Sequence, residues 1–268
     1  MFLQIVKYFF LILIGLIVLI VLVASPFIIK ARNEGERLFE KYESYTENVL
    51  ADNFQLKQYP VKAEFLKLHP WKFLKMFKII VNSRQGNRTA RVNSLDATMF
   101  VFMKMFTLLI RPDYNYNLPM LSVDFIFIGG KRVFIIELID PAQIEDANKK
   151  IYYAKMRKWM PEVAKFEQSD ISEWWKAYLT DFSIHIKSDR TKDDLLFDIY
   201  KAYLEAYVDM TKNAEKLSPD MSAKVKGGIE QYVSTLLAKG GPAVNVFEQM
   251  LGPEGQQEYV RTVMFGVD

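Results

Sequence analysis

The stretch Leu121-Ser122-Val123-Asp124-Phe125-Ile126-Phe127-Ile128-Gly129-Gly130-Lys131-Arg132-Val133-Phe134-Ile135-Ile136-Glu137-Leu138-Ile139 is two β-rich apolar runs around a Gly-Gly pair. Aromatic and β-branched side chains suit a pleated surface, and paired glycines supply the positive φ of a tight hairpin turn. Strands are therefore expected over 121–128 and 132–139, closed by Asp140-Pro141. Asp124 sits in an otherwise apolar run, 120–128, with only Ser122 for polar company. A carboxyl in an apolar sheet resists ionising, which makes Asp124 a proton donor near neutral pH.

Working outward, residues 61–109 are strand-like. A turn is expected at His69-Pro70-Trp71, a strand over 77–81, a turn over 82–87 and a third strand opening at Thr89. The apolar run 99–110 is a buried strand or, by periodicity alone, a helix. Downstream, 142–166 is expected to be helical, and Ser169-Asp170-Ile171-Ser172-Glu173 carries N-capping residues for another helix. A short strand over 182–187 precedes helices over 195–212 and 220–238. Gly240-Gly241-Pro242 breaks the second, and a helix pair around Gly252-Pro253 closes the chain. Antiparallel strands followed by a helical half predict an α+β layered domain.

The first thirty residues are a separate object. Residues 8–29 carry no charge and would span about 33 Å as a helix, against a bilayer core of about 30 Å. Leu22-Val23-Ala24-Ser25 resembles a cleavage site, but the run exceeds the apolar region of a secretory signal. An uncleaved single-pass signal anchor is expected. Lys30, Arg32, Arg37 and Lys41 on its C-terminal side place the rest of the chain in the cytoplasm by the positive-inside rule. Leu38, Phe39, Tyr42, Tyr45, Val49 and Leu50 recur at helical spacing beyond it. The expected division is a transmembrane anchor at 1–32, an amphipathic helical linker at 33–60 and a single domain at 61–268.

A net charge of only +3 argues against a dedicated nucleic-acid binder. The absence of cysteine excludes disulfides, thiol nucleophiles and iron–sulfur ligation. The two histidines, His69 and His185, lack any metal-ligand spacing, and no metal site is expected. They read as a turn residue and a strand residue. Lys149, Lys150, Lys155, Arg157 and Lys158 surround Tyr152, Tyr153 and Trp159. Such a basic aromatic helix can meet an acidic protein partner, rest on anionic lipid or be a solvated face.

Three segments together resemble the ferredoxin-dependent bilin reductases, over roughly residues 85–268. The first is Leu118-Pro119-Met120-Leu121-Ser122-Val123-Asp124 with the Gly-Gly hairpin and Glu137-Leu138-Ile139-Asp140-Pro141. The second is 174–187, a tryptophan-headed helix and a strand ending in a basic residue. The third is Phe247-Glu248-Gln249-Met250-Leu251-Gly252 with Tyr259-Val260-Arg261-Thr262-Val263-Met264-Phe265. The resemblance implies a three-layer α/β/α sandwich with a central antiparallel sheet, preceded here by one N-terminal transmembrane helix. It implies a linear tetrapyrrole such as biliverdin held between sheet and C-terminal helices. It also implies no permanently bound cofactor, and electrons delivered one at a time by reduced ferredoxin.

By position, Asp124 matches the family's catalytic aspartate and Lys187 a basic residue that pairs with a propionate. Thr107 stands where members have histidine or asparagine, and Ser122 lines the same substrate-binding face. The basic cluster 149–158 is the implied ferredoxin-binding surface. A second catalytic aspartate would lie near Gly240, which supplies no acid, and Arg91 and Asp96 are near candidates for a basic-and-acidic strand. The implied activity is membrane-anchored reduction of a bilin. The missing acid, the missing histidine and the added anchor fit, alternatively, a non-catalytic tetrapyrrole-binding or membrane-complex assembly protein on the same fold.

Overall fold

The structure is a computed structural model that describes residues 2–68, 77–99 and 103–267. Helix α1 spans Phe2–Phe54, followed by β1 (Lys57–Gln58), α2 (Ala63–Leu66) and β2 (Lys67–Leu68). Five long strands follow: β3 (Phe77–Gly86), β4 (Thr89–Met99), β5 (Met103–Pro112), β6 (Met120–Ile128) and β7 (Lys131–Ile139). Then come α3 (Ala147–Arg157), α4 (Met160–Val163), β8 (Glu167–Gln168), α5 (Glu173–Lys176) and β9 (Ile184–Asp189). Helices α6 (Asp193–Asn213), α7 (Pro219–Lys239) and α8 (Pro242–Glu258) lead into a π-helical turn, Tyr259–Phe265. Among the described residues the strands form one antiparallel sheet, ordered β1-β3-β4-β5-β6-β7-β9-β8, with β2 also pairing β3.

Alternation decides the two faces. In β6, Leu121, Val123, Phe125 and Phe127 are buried, while Ser122, Asp124, Ile126 and Ile128 between them are half-buried. The buried set faces α1 and α6. Phe106, Phe125, Phe134 and Ile186 stand opposite one another across four strands. Phe125 stacks on Phe134 at 4.1 Å, and Tyr42 of α1 and Tyr200 of α6 close over Phe125 at 4.7 and 5.1 Å. Each aromatic pair adds about 1 kcal/mol beyond its area burial. The second face meets α7, α8 and the π turn through two smaller clusters, around Tyr232 with Leu109 and around Tyr259 with Leu95. Sheet and flanking helices make three layers.

Residues 33–54 of the segment read from sequence as an amphipathic linker over 33–60 pack, with α6, in the first of these layers. Leu38, Phe39, Tyr42, Leu50 and Phe54 belong to the main core. Three carboxylates of α1 are pinned by buried cations of the sheet. Glu34 pairs with Arg132, which also holds Asp193 at 2.7 Å; Glu36 meets Lys104 at 2.8 Å; and Glu47 pairs with Arg84. Among the described residues no helix is long and apolar enough to cross a membrane. The expected span falls mostly on residues 8–22, whose side chains lie outside the described residues.

Other expectations shift by physical detail. The strand expected over 77–81 runs on to Gly86, and the turn sits at Asn87-Arg88, not over 82–87. Gly86 passes the end of α1 so closely that a Cβ there would lie 2.3 Å from the Phe54 carbonyl oxygen. Of the run 99–110, Met99 ends β4 and residues 103–110 lie in strand β5, while 100–102 lie outside the described residues. The helix expected over 142–166 begins only at Ala147, where Asp146 caps it by accepting from the Lys149 N–H, and it breaks before α4. The turn expected at His69-Pro70-Trp71 lies outside the described residues.

Candidate functional site

Register builds the site. Leu95, Thr107, Asp124, Ile135 and His185 form one row across β4, β5, β6, β7 and β9, on the face toward α7 and α8. The Thr107 hydroxyl donates to Asp124 Oδ1 at 2.5 Å. In the next row Ser122 lies between Leu109 and Glu137. Toward the hairpin turn the same face carries Met105, Ile126, Ile128, Val133 and Ile135, all half-buried. Asp124 is thus a carboxyl beside an apolar floor, hydrogen-bonded by one hydroxyl, with Ser122, Glu137 and His185 on the same face.

Burial pushes the Asp124 carboxyl up to about 7. The Thr107 hydrogen bond opposes this, the Glu137 charge adds to it, and His185 pulls it back. A carboxyl balanced near neutrality can hold a proton and release it at physiological pH. Two hollows, of about 450 Å³ beside Phe27 and Arg190 and about 370 Å³ beside Asp140 and Tyr153, lie away from it. The candidate site is therefore taken at the sheet face, where Asp124 stands.

The layer over this face is tied down through carbonyls. In a π turn the usual helical acceptors are displaced, and side chains take them. Asn93 donates to the Val263 and Met264 carbonyls at 3.0 and 2.8 Å, and Arg111 donates to those of Phe265 and Gly266. Tyr232 of α7 packs edge-on to Phe265 at 5.8 Å and to Tyr178 at 5.2 Å. Trp174 stacks on Trp175 at 5.6 Å at the margin of the same cluster.

The structure brings Asp124, Thr107 and Ser122 together. Lys187 shares their face, opposite Val133, but is exposed at the edge and paired with Glu167 at 2.9 Å. The basic cluster does not join them. Helix α3 packs on α6, in the layer behind the sheet from Asp124. Lys149 is buried there, held by Asp140 at 2.6 Å and the Ile144 carbonyl at 2.9 Å, so it cannot meet a partner. Its helix turns it inward because Asp140 needs a counter-charge. Lys150 pairs with Glu145 at 2.6 Å, Lys155 lies 3.4 Å from Asp209, and Arg157 lies over the Phe182 ring; Lys158 is exposed.

Asp96 points to the opposite face and pairs with Lys104 at 2.6 Å, while Arg91 stays on the site face over the Tyr59 ring. Gly240 ends α7 with φ +74°, and a Cβ there would sit 2.7 Å from Asn245 Oδ1. An aspartate in that backbone geometry would be strained. Sequence reasoning missed one pair on the site face, Glu137 and His185, whose Oε1 and Nε2 lie 3.1 Å apart. Period-two alternation places Glu137 on the Asp124 face once the hairpin is recognised. His185 needed the β7–β9 register.

Residues 43–266 match a family model described as ferredoxin-dependent bilin reductase. A phycoerythrobilin:ferredoxin oxidoreductase of Synechococcus sp. strain RCC307 is 21% identical over 229 residues, covering 80% of this chain and 86% of the relative. A 15,16-dihydrobiliverdin:ferredoxin oxidoreductase of Nostoc punctiforme is 23% identical over 167 residues, covering 60% of this chain and 68% of its own. Among solved structures, a tomato phytochromobilin synthase in complex with biliverdin superposes with a TM-score of 0.71 at 14% identity. That match covers 85% of this chain and 82% of the other, and it establishes the shared fold.

Proposed function

The chain belongs to the ferredoxin-dependent bilin reductase family, and from that premise we propose that it reduces a bilin or a related open-chain tetrapyrrole, with Asp124 as the proton donor. Reduced ferredoxin supplies electrons singly, and no cofactor is held permanently. Each double bond reduced takes two electrons from two ferredoxins and two protons. The pigment lies on the apolar floor of Met105, Ile126, Val133 and Ile135, with its polar edge at Asp124. Thr107 occupies Oδ1, which leaves the proton on Oδ2 for transfer. Lys187 at the edge exchanges Glu167 for a propionate, as a point charge without a bidentate fork. Residues 8–29 tether the chain to a membrane, with the domain on its cytoplasmic side.

The observation that carries this reading is Asp124 itself, a carboxyl raised to about 7 on an apolar face and hydrogen-bonded by Thr107. The test uses the full chain in detergent, with biliverdin under anaerobic conditions followed by reduced ferredoxin. A shifted bound spectrum that converts to a product supports the reductase. A bound spectrum that stays fixed assigns a pigment-holding role instead, which a glycine at position 240, where an aspartate would be strained, favours. Absence of binding overturns both.

A further inference from the structure

Glu137 and His185 stand on the Asp124 face, and no step above uses them. Glu137 is 3% exposed and His185 9%. Their Oε1 and Nε2 atoms, though 3.1 Å apart, are out of line for a hydrogen bond, and among the described residues neither atom has another protein partner. Burying such a pair is costly unless its hydrogen bonds are complete, so a purely structural role is poorly served. Glu137 lies diagonal to Asp124 on the neighbouring strand, and His185 lies in the Asp124 row. Ser122 stands opposite Glu137 and two residues before Asp124, on the same face, where its hydroxyl can bridge the two acids. From the helical layer, Tyr232 faces Glu137 and Asp124, and Tyr178 packs against Tyr232. Burial pushes Glu137 up and His185 draws it down.

We propose that Glu137 and His185 are a shared proton reserve that reloads Asp124 between the two protonations of one substrate reduction. The proposal rests on the bilin-reductase reading. Asp124 gives the first proton and becomes a carboxylate. The pair passes one proton to it by way of Ser122, and Asp124 gives the second. Two reduced ferredoxins are oxidised, one double bond gains two electrons and two protons, and solvent recharges the pair. Glu137 and His185 are positioning residues, since they act through Asp124.

The experiment compares the full wild-type chain with His185→Gln and Glu137→Gln in detergent. The Asp124 carboxyl is first titrated by infrared difference spectroscopy without pigment, its band assigned with Asp124→Asn. His185→Gln is expected to move the Asp124 midpoint up and Glu137→Gln to move it down, each by roughly 0.5 to 1 pH unit. General loss of packing would not give opposite shifts. With pigment and ferredoxin, His185→Gln is expected to lower kcat about tenfold at pH 8 and little at pH 6, with KM unchanged. Unmoved midpoints in both variants overturn the proposal, and so does a kcat within twofold of wild type at both pH values. A wild-type chain that binds no pigment overturns the functional reading instead, and the pigment-free titration tells the two failures apart.

Discussion

Thr107 and Asp124 face each other across β5 and β6, and the threonine hydroxyl donates to the carboxyl at 2.5 Å. Among the described residues that bond is the one direct side-chain support for an acid standing on an apolar floor. It favours the charged form while burial favours the neutral one, and their balance leaves the group close to neutrality.

Replacing Asp124 by asparagine keeps the shape and removes the proton. Pigment binding is expected to persist, with turnover reduced at least about 100-fold, the scale of a lost general acid. Bound absorbance and single-turnover rates with reduced ferredoxin check it. Near-normal reduction by the variant would sink the assigned role.

Thr107→Val removes the bond that lowers the Asp124 titration. The alkaline limb of the pH–rate profile is expected to move upward by roughly half a pH unit or more. A profile that coincides with wild type would show that Thr107 does not tune the acid.

Stability carries the same signature. An aspartate titrates near 3.9 when unfolded and Asp124 at about 7 when folded. Between those values the folded chain holds the extra proton, so stability falls as pH rises from about 4 to about 7. Each pH unit of separation is worth about 1.4 kcal/mol. Because Asp124 is half-buried, a loss of about 2 kcal/mol is expected across the window. Urea titrations at pH 5 and 8 read it, and Asp124→Asn should flatten the slope.

Arg132 holds Glu34 of α1 and Asp193 of α6 together. Arg132→Ala takes the guanidinium from two half-buried acids, leaving Glu34 with Arg190 at 3.4 Å, and a loss of about 2–3 kcal/mol is expected. A shift below 1 kcal/mol in denaturant unfolding would contradict the clamp.

Gly86→Ala forces a methyl to within 2.3 Å of the Phe54 carbonyl oxygen. Backbone must move, and destabilisation of about 1–3 kcal/mol is expected. An unchanged melting temperature would mean that the helix end yields freely.

The hairpin was legible because its information is local: alternating apolar residues and a Gly-Gly turn specify β6 and β7 within one short stretch. Asp124 was legible as an exception to that alternation. Thr107 was legible only by resemblance, since nothing in its own run singles it out. Glu137 and His185 were not legible together, because β9 reaches β7 only after α3, α4, β8 and α5. Lys149 misled for the opposite reason. Its neighbours are surface cations, and the half-buried acid that claims it, Asp140, precedes its helix in the chain. The apolar spacing of 33–54 was plain, but Arg84, Lys104 and Arg132, which lock that segment in place, come from three different strands.

Helix α1 is continuous from Phe2 to Phe54, and its second half is clamped by those three cations. It therefore behaves as a mast rather than a leash. Whatever grips its first half sets the bearing of the whole sheet, including the side from which an electron donor can approach. Pro26 is the one proline inside the helix, where a backbone donor is missing. Bending of the mast is expected to concentrate there, just outside the clamped portion.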